Sequence, residues 1–442
     1  MLNKITTAIQ KIIKPEQLKI LTNIGWLLSE RVFRMIMGFF LLAWTARYLG
    51  ANQFGELNYA IAFGAIFLPL FQLASDQIIF RDLVRTPNLK DDILGTGFLL
   101  KFLIGIIVFS LASGSIIFLQ PNEPLTINLV IIISIPSLFG GISIIEAWFQ
   151  SQVELKYTIW SRNIVFAFVT LIRIFLLQNQ AHLMAFAWLV VIESAANAIG
   201  FIVIYRLTGK NILAWRGNWK RAKKLMKISW PLILSSLAIT IYVRIDQVML
   251  GQLTNSEQVG LYSAAVRLSE IWPFASTAIV KSIAPSIIAA KNDSEELYYK
   301  KLQRLATSQA LLVYCIAIPM TFLSTPFVVF VFCKEYAAAG GVLAIHIWSS
   351  MFGFLGYVKD IWITTEELTV FALIFSSAGA AMNVILNFWL IPKYQGIGAA
   401  IATVISYGFA DYVMCFLYPP ARKFGKIMTQ AMTLNLIKFN VK

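Results

Sequence analysis

Arg206-Leu207-Thr208-Gly209-Lys210-Asn211-Ile212-Leu213-Ala214-Trp215-Arg216-Gly217-Asn218-Trp219-Lys220-Arg221-Ala222-Lys223-Lys224-Leu225-Met226-Lys227 lies near the middle of this 442-residue chain and carries eight basic and no acidic residues. On both sides the sequence is a succession of apolar runs. Across the chain 58% of residues are hydrophobic and 13% charged. A soluble domain has about 45–50% apolar and 25% charged residues, so a soluble enzyme is excluded. One membrane-crossing helix needs about 20 apolar residues, and the composition has room for about a dozen. The basic stretch then divides an all-α membrane protein into two halves.

Breaking the apolar runs at charged, Pro or Asn positions gives twelve spans. They are residues 24–48, 57–80, 93–119, 127–150, 159–178, 183–206, 228–252, 258–283, 305–330, 341–363, 369–391 and 396–418. With the N-terminus inside, 26 of the 37 basic residues fall in alternate loops on one side. Only Lys334 and Lys393 fall on the other. The positive-inside rule therefore expects both termini in the cytoplasm. The net charge of +15 is chiefly a topology signal, and a nucleic-acid partner is not expected. The expected organisation is a six-helix lobe over residues 1–206, a basic linker over 207–227, a second six-helix lobe over 228–418 and a basic tail over 419–442. In residues 1–20, Lys4, Lys11, Lys14 and Lys19 alternate with Ile5, Ile9, Ile12 and Ile13. This reads as an amphipathic helix on the membrane surface and not as a cleaved signal.

The two halves echo one another. Trp26, then Leu49-Gly50, Phe54-Gly55 and Tyr59-Ala60, correspond to Trp230, Leu250-Gly251, Val259-Gly260 and Tyr262-Ser263-Ala264. Six spans per half give both copies the same orientation, a parallel pseudo-two-fold repeat about the membrane normal. Two lobes around a central cleft are expected, with the linker allowing them to rock.

With Arg206 and Lys359 counted in the loops they border, nine basic residues fall within spans: Arg31, Arg34, Arg47, Lys101, Arg162, Arg173, Arg244, Arg267 and Lys281. A charge at the bilayer centre costs about 2.5–3.5 kcal/mol on insertion scales, so it must face protein or water. Arg162 and Lys281 lie near span ends, where snorkelling explains them, and Arg47 sits at a rim. The deeper Arg31, Arg34, Lys101, Arg173, Arg244 and Arg267 are candidates for a cationic cavity that receives an anionic headgroup. Glu30, Glu193, Asp246 and Glu270 are candidates for counter-ions or for an ion-coupling site. Pairing offers the plainer account, since Glu30/Arg34 are i,i+4 and Arg267/Glu270 are i,i+3. The first half nevertheless holds four central cations against two central acids.

Other chemistries are excluded by what the sequence lacks. Cys315, Cys333 and Cys415 are widely spaced in apolar runs, and His182 and His346 are isolated, so neither a disulfide framework nor a metal site is expected. Lys210 and Lys426 each follow a Gly but lack the rest of a phosphate-binding loop, so nucleotide hydrolysis is not expected. Movement would have to be driven by a proton or sodium gradient, without a cofactor.

Leu49-Gly50, Phe54-Gly55, Ile245-Asp246, Met249-Leu250-Gly251, Val259-Gly260-Leu261-Tyr262, Arg267-Leu268, Glu270, Pro285 and above all Asn383 to Thr403 resemble the course of Wzx-type polysaccharide flippases. These O-antigen and exopolysaccharide transporters are related to the MATE exporters and the lipid II flippase MurJ. The resemblance implies the two-lobe alternating-access fold. It also implies a cargo, an oligosaccharide on undecaprenyl diphosphate turned from the inner to the outer leaflet of a bacterial plasma membrane, with a polymerase and a chain-length regulator as further partners. No catalytic role is implied. A MATE-type cation-coupled multidrug exporter is the alternative, although it would favour acidic cavity residues. A membrane polymerase would carry a large polar loop, and none is present.

Overall fold

The computed structural model describes residues 15–434, with side chains from residue 33 onward except at residue 369. The side chains of Glu30 and Arg31, residues 1–14 of the surface segment expected over 1–20, and residues 435–442 of the basic tail lie outside the described residues. Helices account for nearly all of the rest. In chain order they are α1 (Pro15–Ala65), α2 (Asp76–Arg85), α3 (Lys90–Leu119), α4 (Pro124–Ser134), α5 (Ile144–Ser151), α6 (Lys156–Gln178), α7 (Leu183–Leu207) and α8 (Trp219–Leu253). The second half continues with α9 (Ser256–Ser269), α10 (Pro273–Asp293), α11 (Glu295–Phe332), α12 (Ala339–His346), α13 (Ser349–Thr365), α14 (Thr369–Gly408), α15 (Met414–Leu417) and α16 (Arg422–Met432).

Ten helical segments among the described residues are long and apolar enough to cross a bilayer. Two of them, Phe33–Arg85 and Val370–Leu417, have 53 and 48 residues, far more than one crossing uses. In each, a long helix is broken at a single residue of non-helical backbone. Gly50 sits in α1 at φ 70° and ψ 170°, left-handed backbone that a residue without Cβ adopts at little cost. Gln395 divides α14 at φ 52° and ψ −131°. At this second break the chain turns back sharply: a Cβ on Gly398 would meet the backbone of Leu390 and Ile391. Residues eight apart would be about 12 Å apart along a straight helix. Counting each of these two segments twice gives the twelve crossings expected from the sequence.

Three buried clusters define the shape. One joins both halves, with Ala46, Phe54 and Tyr59 beside Leu250, Tyr262, Phe332 and Tyr336. A second contains only first-half residues and the start of α8, including Ile79, Ile104, Trp148 and Leu225. The third contains only second-half residues, such as Ile287, Leu305, Trp362 and Phe424. The shared cluster lies at the end far from the linker, while the two private ones lie at the linker end. The lobes therefore meet at one end and separate towards the other, leaving a cleft open on the linker side.

The repeat is visible at the joint. A Cβ on Gly55 would fall on the carbonyl oxygen of Ser256, and a Cβ on Gly260 would fall on that of Ala51. Each contact runs from residue i+4 of one half to residue i of the other, as a two-fold relation requires. The sides of the cleft differ. α8 packs along the 3-10 segment Leu68–Ala74 and against α3, whereas α10 packs on α11 and α13 of its own lobe.

The basic stretch, expected as a linker between the lobes, is docked on the first lobe. The Arg216 N–H donates to the Asp91 carbonyl at 3.1 Å, and the Asn218 N–H to Thr96 Oγ1 at 3.0 Å. Trp215 packs edge-on against Tyr205, with ring centroids 5.7 Å apart. From Trp219 onward the stretch is already helix α8, capped by Asn218 Oδ1 accepting from the Arg221 N–H. Ala222 and Leu225 belong to the first lobe's core and Leu250 to the shared one, so α8 itself carries the connection between lobes. Pro231 lies between those contacts, where the missing N–H weakens the helix.

Candidate functional site

The apolar surroundings of the mid-membrane charges make every partner matter, because an unpaired buried charge loses its hydration without compensation. Among the first-lobe candidates, Lys101 is buried and donates to Asp76 Oδ1 at 2.5 Å and to Ser143 Oγ at 2.8 Å. It was expected to be an open cavity cation and is instead held by a carboxylate whose side chain is 58% exposed. Asp76 is 25 residues away in the chain, on a different helix. The 3-10 breaks at Leu68–Ala74 and Ile135–Ser143 re-aim α2 and Ser143 towards α3. A second pair, Arg162 with Glu146 at 2.5 Å, lies in the same lobe.

Arg34 and Arg173 remain partly exposed at different depths. Arg34 donates to Asn163 Oδ1 at 3.5 Å and lies 4.9 Å above the ring of Phe166, both on α6. Arg173 is seven and ten residues further along α6, on the face shared by Phe166 and Asn163. It lies within electrostatic reach of Glu193 on α7, without a contact close enough to be an ion pair.

In the second lobe Arg267 pairs loosely with Glu270 at 3.8 Å, and its Nε is buried without a partner. Arg244 on α8 lies within electrostatic reach of Arg267 and, among the described residues, makes no ion pair or hydrogen bond. Two neighbouring guanidinium groups thus have one loosely held carboxylate between them, the exposed Glu270 paired with Arg267. That arrangement leaves positive charge that an anion entering the cleft can neutralise.

Asp246 occupies a different environment. It is 3% exposed and accepts from Tyr262 Oη at 2.5 Å, Thr403 Oγ1 at 2.6 Å and Asn387 Nδ2 at 2.5 Å. Asn387 also donates to Asn383 Oδ1 at 3.0 Å, and Thr403 Oγ1 lies 2.9 Å from the Ala399 carbonyl. Four crossings therefore supply oxygen atoms around one carboxylate with no basic side chain in ion-pair range. Asn387 Oδ1 is buried and unpartnered. This donor set fits a proton or a monovalent cation bound to oxygen. The described residues contain no group of three or more His, Cys, Asp or Glu side chains suited to a metal.

The apolar-run reading missed the buried pair Lys359–Asp411 and placed Lys359 in a loop. Lys359 lies inside α13 and donates to Asp411 Oδ1 at 2.5 Å. Asp411 stands in the π-bulge Phe409–Val413, whose extra residue turns the carboxylate towards α13. Substituting Lys359 by Met should destabilise the fold by about 3–5 kcal/mol, since a buried carboxylate is left unpaired. Adding Asp411→Leu should recover most of that loss. Unfolding of the detergent-solubilised variants measures both. Asn383 and Asn387, four residues apart in an apolar span, were the available signal for the Asp246 site.

A cavity of about 490 Å³ lies at the linker end of the first lobe, lined by residues including Trp148, Tyr157 and Lys210. It is remote from the mid-membrane charges.

Comparison with known proteins follows the same lines. The chain is 22% identical over 396 residues to the capsular polysaccharide biosynthesis protein CapF of Staphylococcus aureus, covering 87% of this chain and 95% of CapF. It is 25% identical over 219 residues to the probable flippase AglR of Haloferax volcanii, covering 47% and 42% of the two chains. Its fold matches the lipid II flippase MurJ in an inward closed conformation, with a TM-score of 0.70, 14% identity and coverage of 94% and 93%. It also matches an inward-facing multidrug resistance MATE family transporter of the MOP superfamily, with a TM-score of 0.72, 12% identity and coverage of 90% and 96%. The polysaccharide biosynthesis protein family aligns with residues 20–291, well over half the sequence, and together with a multi-pass fold of this type it identifies the chain as a member of that family.

Proposed function

We propose that this protein is a flippase for a lipid-linked oligosaccharide. The cargo is carried on undecaprenyl diphosphate and turned from the cytoplasmic to the outer leaflet by ion-coupled alternating access. The observation that carries this reading is the surplus of guanidinium groups at mid-membrane. Arg244 lies within electrostatic reach of Arg267, whose one carboxylate partner is the loosely held Glu270, and Arg173 on α6 of the opposite lobe makes no ion pair among the described residues. A diphosphate offers several oxygen acceptors to such groups, and Arg stays charged when desolvated. The cleft opens on the linker side, and the basic-residue asymmetry supports reading that side as cytoplasmic. Few contacts join α10 to the first lobe, so the lipid tail can remain in the bilayer while the headgroup enters.

Asp246 is the best candidate for the coupling site. Binding or losing a proton or sodium ion there changes the charge at the junction of α8, α9 and α14, the helices nearest the lobe joint. Depletion of the gene product in its host tests the cargo. Undecaprenyl-diphosphate oligosaccharide should accumulate on the cytoplasmic leaflet while surface polysaccharide declines. Unchanged lipid intermediates with altered drug resistance would instead identify an exporter, the reading favoured by the equal likeness to a MATE fold.

A further inference from the structure

We propose that Arg47 and Glu335 are positioning residues that hold the lobes together at the closed end, each by capping a helix terminus of the opposite lobe. Arg47 ends the first arm of α1 and donates from Nε to the Val331 carbonyl at 2.7 Å and from Nη2 to the Phe330 carbonyl. These carbonyls are in the last turn of α11, where helix geometry supplies no N–H four residues on. Glu335 follows α11 and accepts the Ala51 N–H at 2.6 Å, at the start of the second arm of α1. That N–H is equally orphaned by the break at Gly50. A cation therefore sits at a helix C-terminus and a carboxylate at a helix N-terminus, the favourable sign in both cases. First-lobe Arg47 caps the second lobe, and second-lobe Glu335 caps the first.

Neither residue is needed for the core. Both are exposed, and no ion pair forms between them. What they flank is the tightest approach of the two lobes, the reciprocal contact of Gly55 with Ser256 and Gly260 with Ala51. Tyr336, next to Glu335, is buried between the arms and donates to the Ala46 carbonyl at 2.9 Å. Opening this end requires both caps to be released, after which water can satisfy the same groups. The two side chains thus set the balance between closed and open states without touching cargo, and the inference holds whichever cargo the chain moves.

The test uses the full-length protein in nanodiscs and reads amide exchange at segments the substituted side chain does not touch. Arg47→Gln should raise exchange about three- to tenfold at residues 51–55 and 256–260, although Arg47 bonds only to α11. Glu335→Gln should do the same at residues 256–260. A Ser263→Cys reporter in a Cys315→Ser, Cys333→Ser, Cys415→Ser background should become more reactive towards a maleimide in both variants. Ser263 is fully buried and lies three residues beyond Gly260, on the face that meets α1. Arg47→Lys should restore part of the protection, and the charge exchange Arg47→Glu with Glu335→Arg should restore none. Exchange confined to the helix end that each side chain caps, with unchanged maleimide reactivity, would overturn the proposal. Rescue by the charge exchange would also overturn it, because an ion pair would then be the operative contact.

Discussion

Asp246→Asn is expected to yield a folded, inserted protein whose gradient-driven transport falls by up to about 100-fold, the range of a strong coupling free energy. The substitution keeps the volume of the side chain and one acceptor for Tyr262, Thr403 and Asn387, but removes the charge that a proton or cation would neutralise. Asp246→Ala should behave differently. It strands three buried donors at about 1–3 kcal/mol each, so it should lower thermal stability as well as transport. Translocation of a lipid-linked glycan into proteoliposomes, with and without an imposed gradient, measures the first effect, and thermal unfolding in detergent the second. If Asp246→Asn transported at the native rate with unchanged gradient dependence, coupling would have to reside elsewhere, with Glu193 and Glu270 the other described residues among the sequence-based candidates.

Arg244→Gln combined with Arg267→Gln should weaken binding of undecaprenyl diphosphate by about 10- to 100-fold, from the loss of one or two charge-assisted contacts. Native mass spectrometry or fluorescence titration in nanodiscs would read the affinity. For Arg244→Gln alone the stability change should have the opposite sign. Arg244 makes no ion pair or hydrogen bond among the described residues, so replacing it relieves repulsion with Arg267 and removes a poorly compensated charge. A small rise in Tm together with lost affinity is the pattern of a residue kept for its ligand. Lost stability with unchanged affinity would show that these arginines serve the fold. The same comparison applied to Arg34→Gln and Arg173→Gln determines whether the first lobe shares the load.

Much of the fold was legible because the membrane imposes simple rules. Every backbone polar group in hydrocarbon must be satisfied within its own segment, so apolar runs become helices and their number can be counted. The hairpin breaks were marked by Leu49-Gly50 and by the residues around Gln395, although a helix-long hydropathy window does not reveal which residue turns. The candidate site was legible only in part. Arg267 and Glu270 were correctly paired because three residues along one helix fix a shared face. Lys101 was assigned to the cleft because its partner, Asp76, is 25 residues away and is brought to it by 3-10 segments that no periodicity announces. Lys359 failed for a similar reason, since Asp411 is 52 residues distant and turned by a π-bulge.

The amino-acid sequence by itself determined that the chain is an all-α membrane protein of twelve crossings in two equivalent halves. Hydropathy, helix length and the asymmetry of the basic residues are local or additive properties. Tertiary structure alone decided which of the described charges are paired with one another and which are not. It also decided that the basic stretch is docked on the first lobe and that the lobes are closed at the far end by Arg47 and Glu335. Those outcomes depend on distances between residues far apart in the chain, and a charge in low dielectric is defined by its nearest partner more than by its position in the sequence.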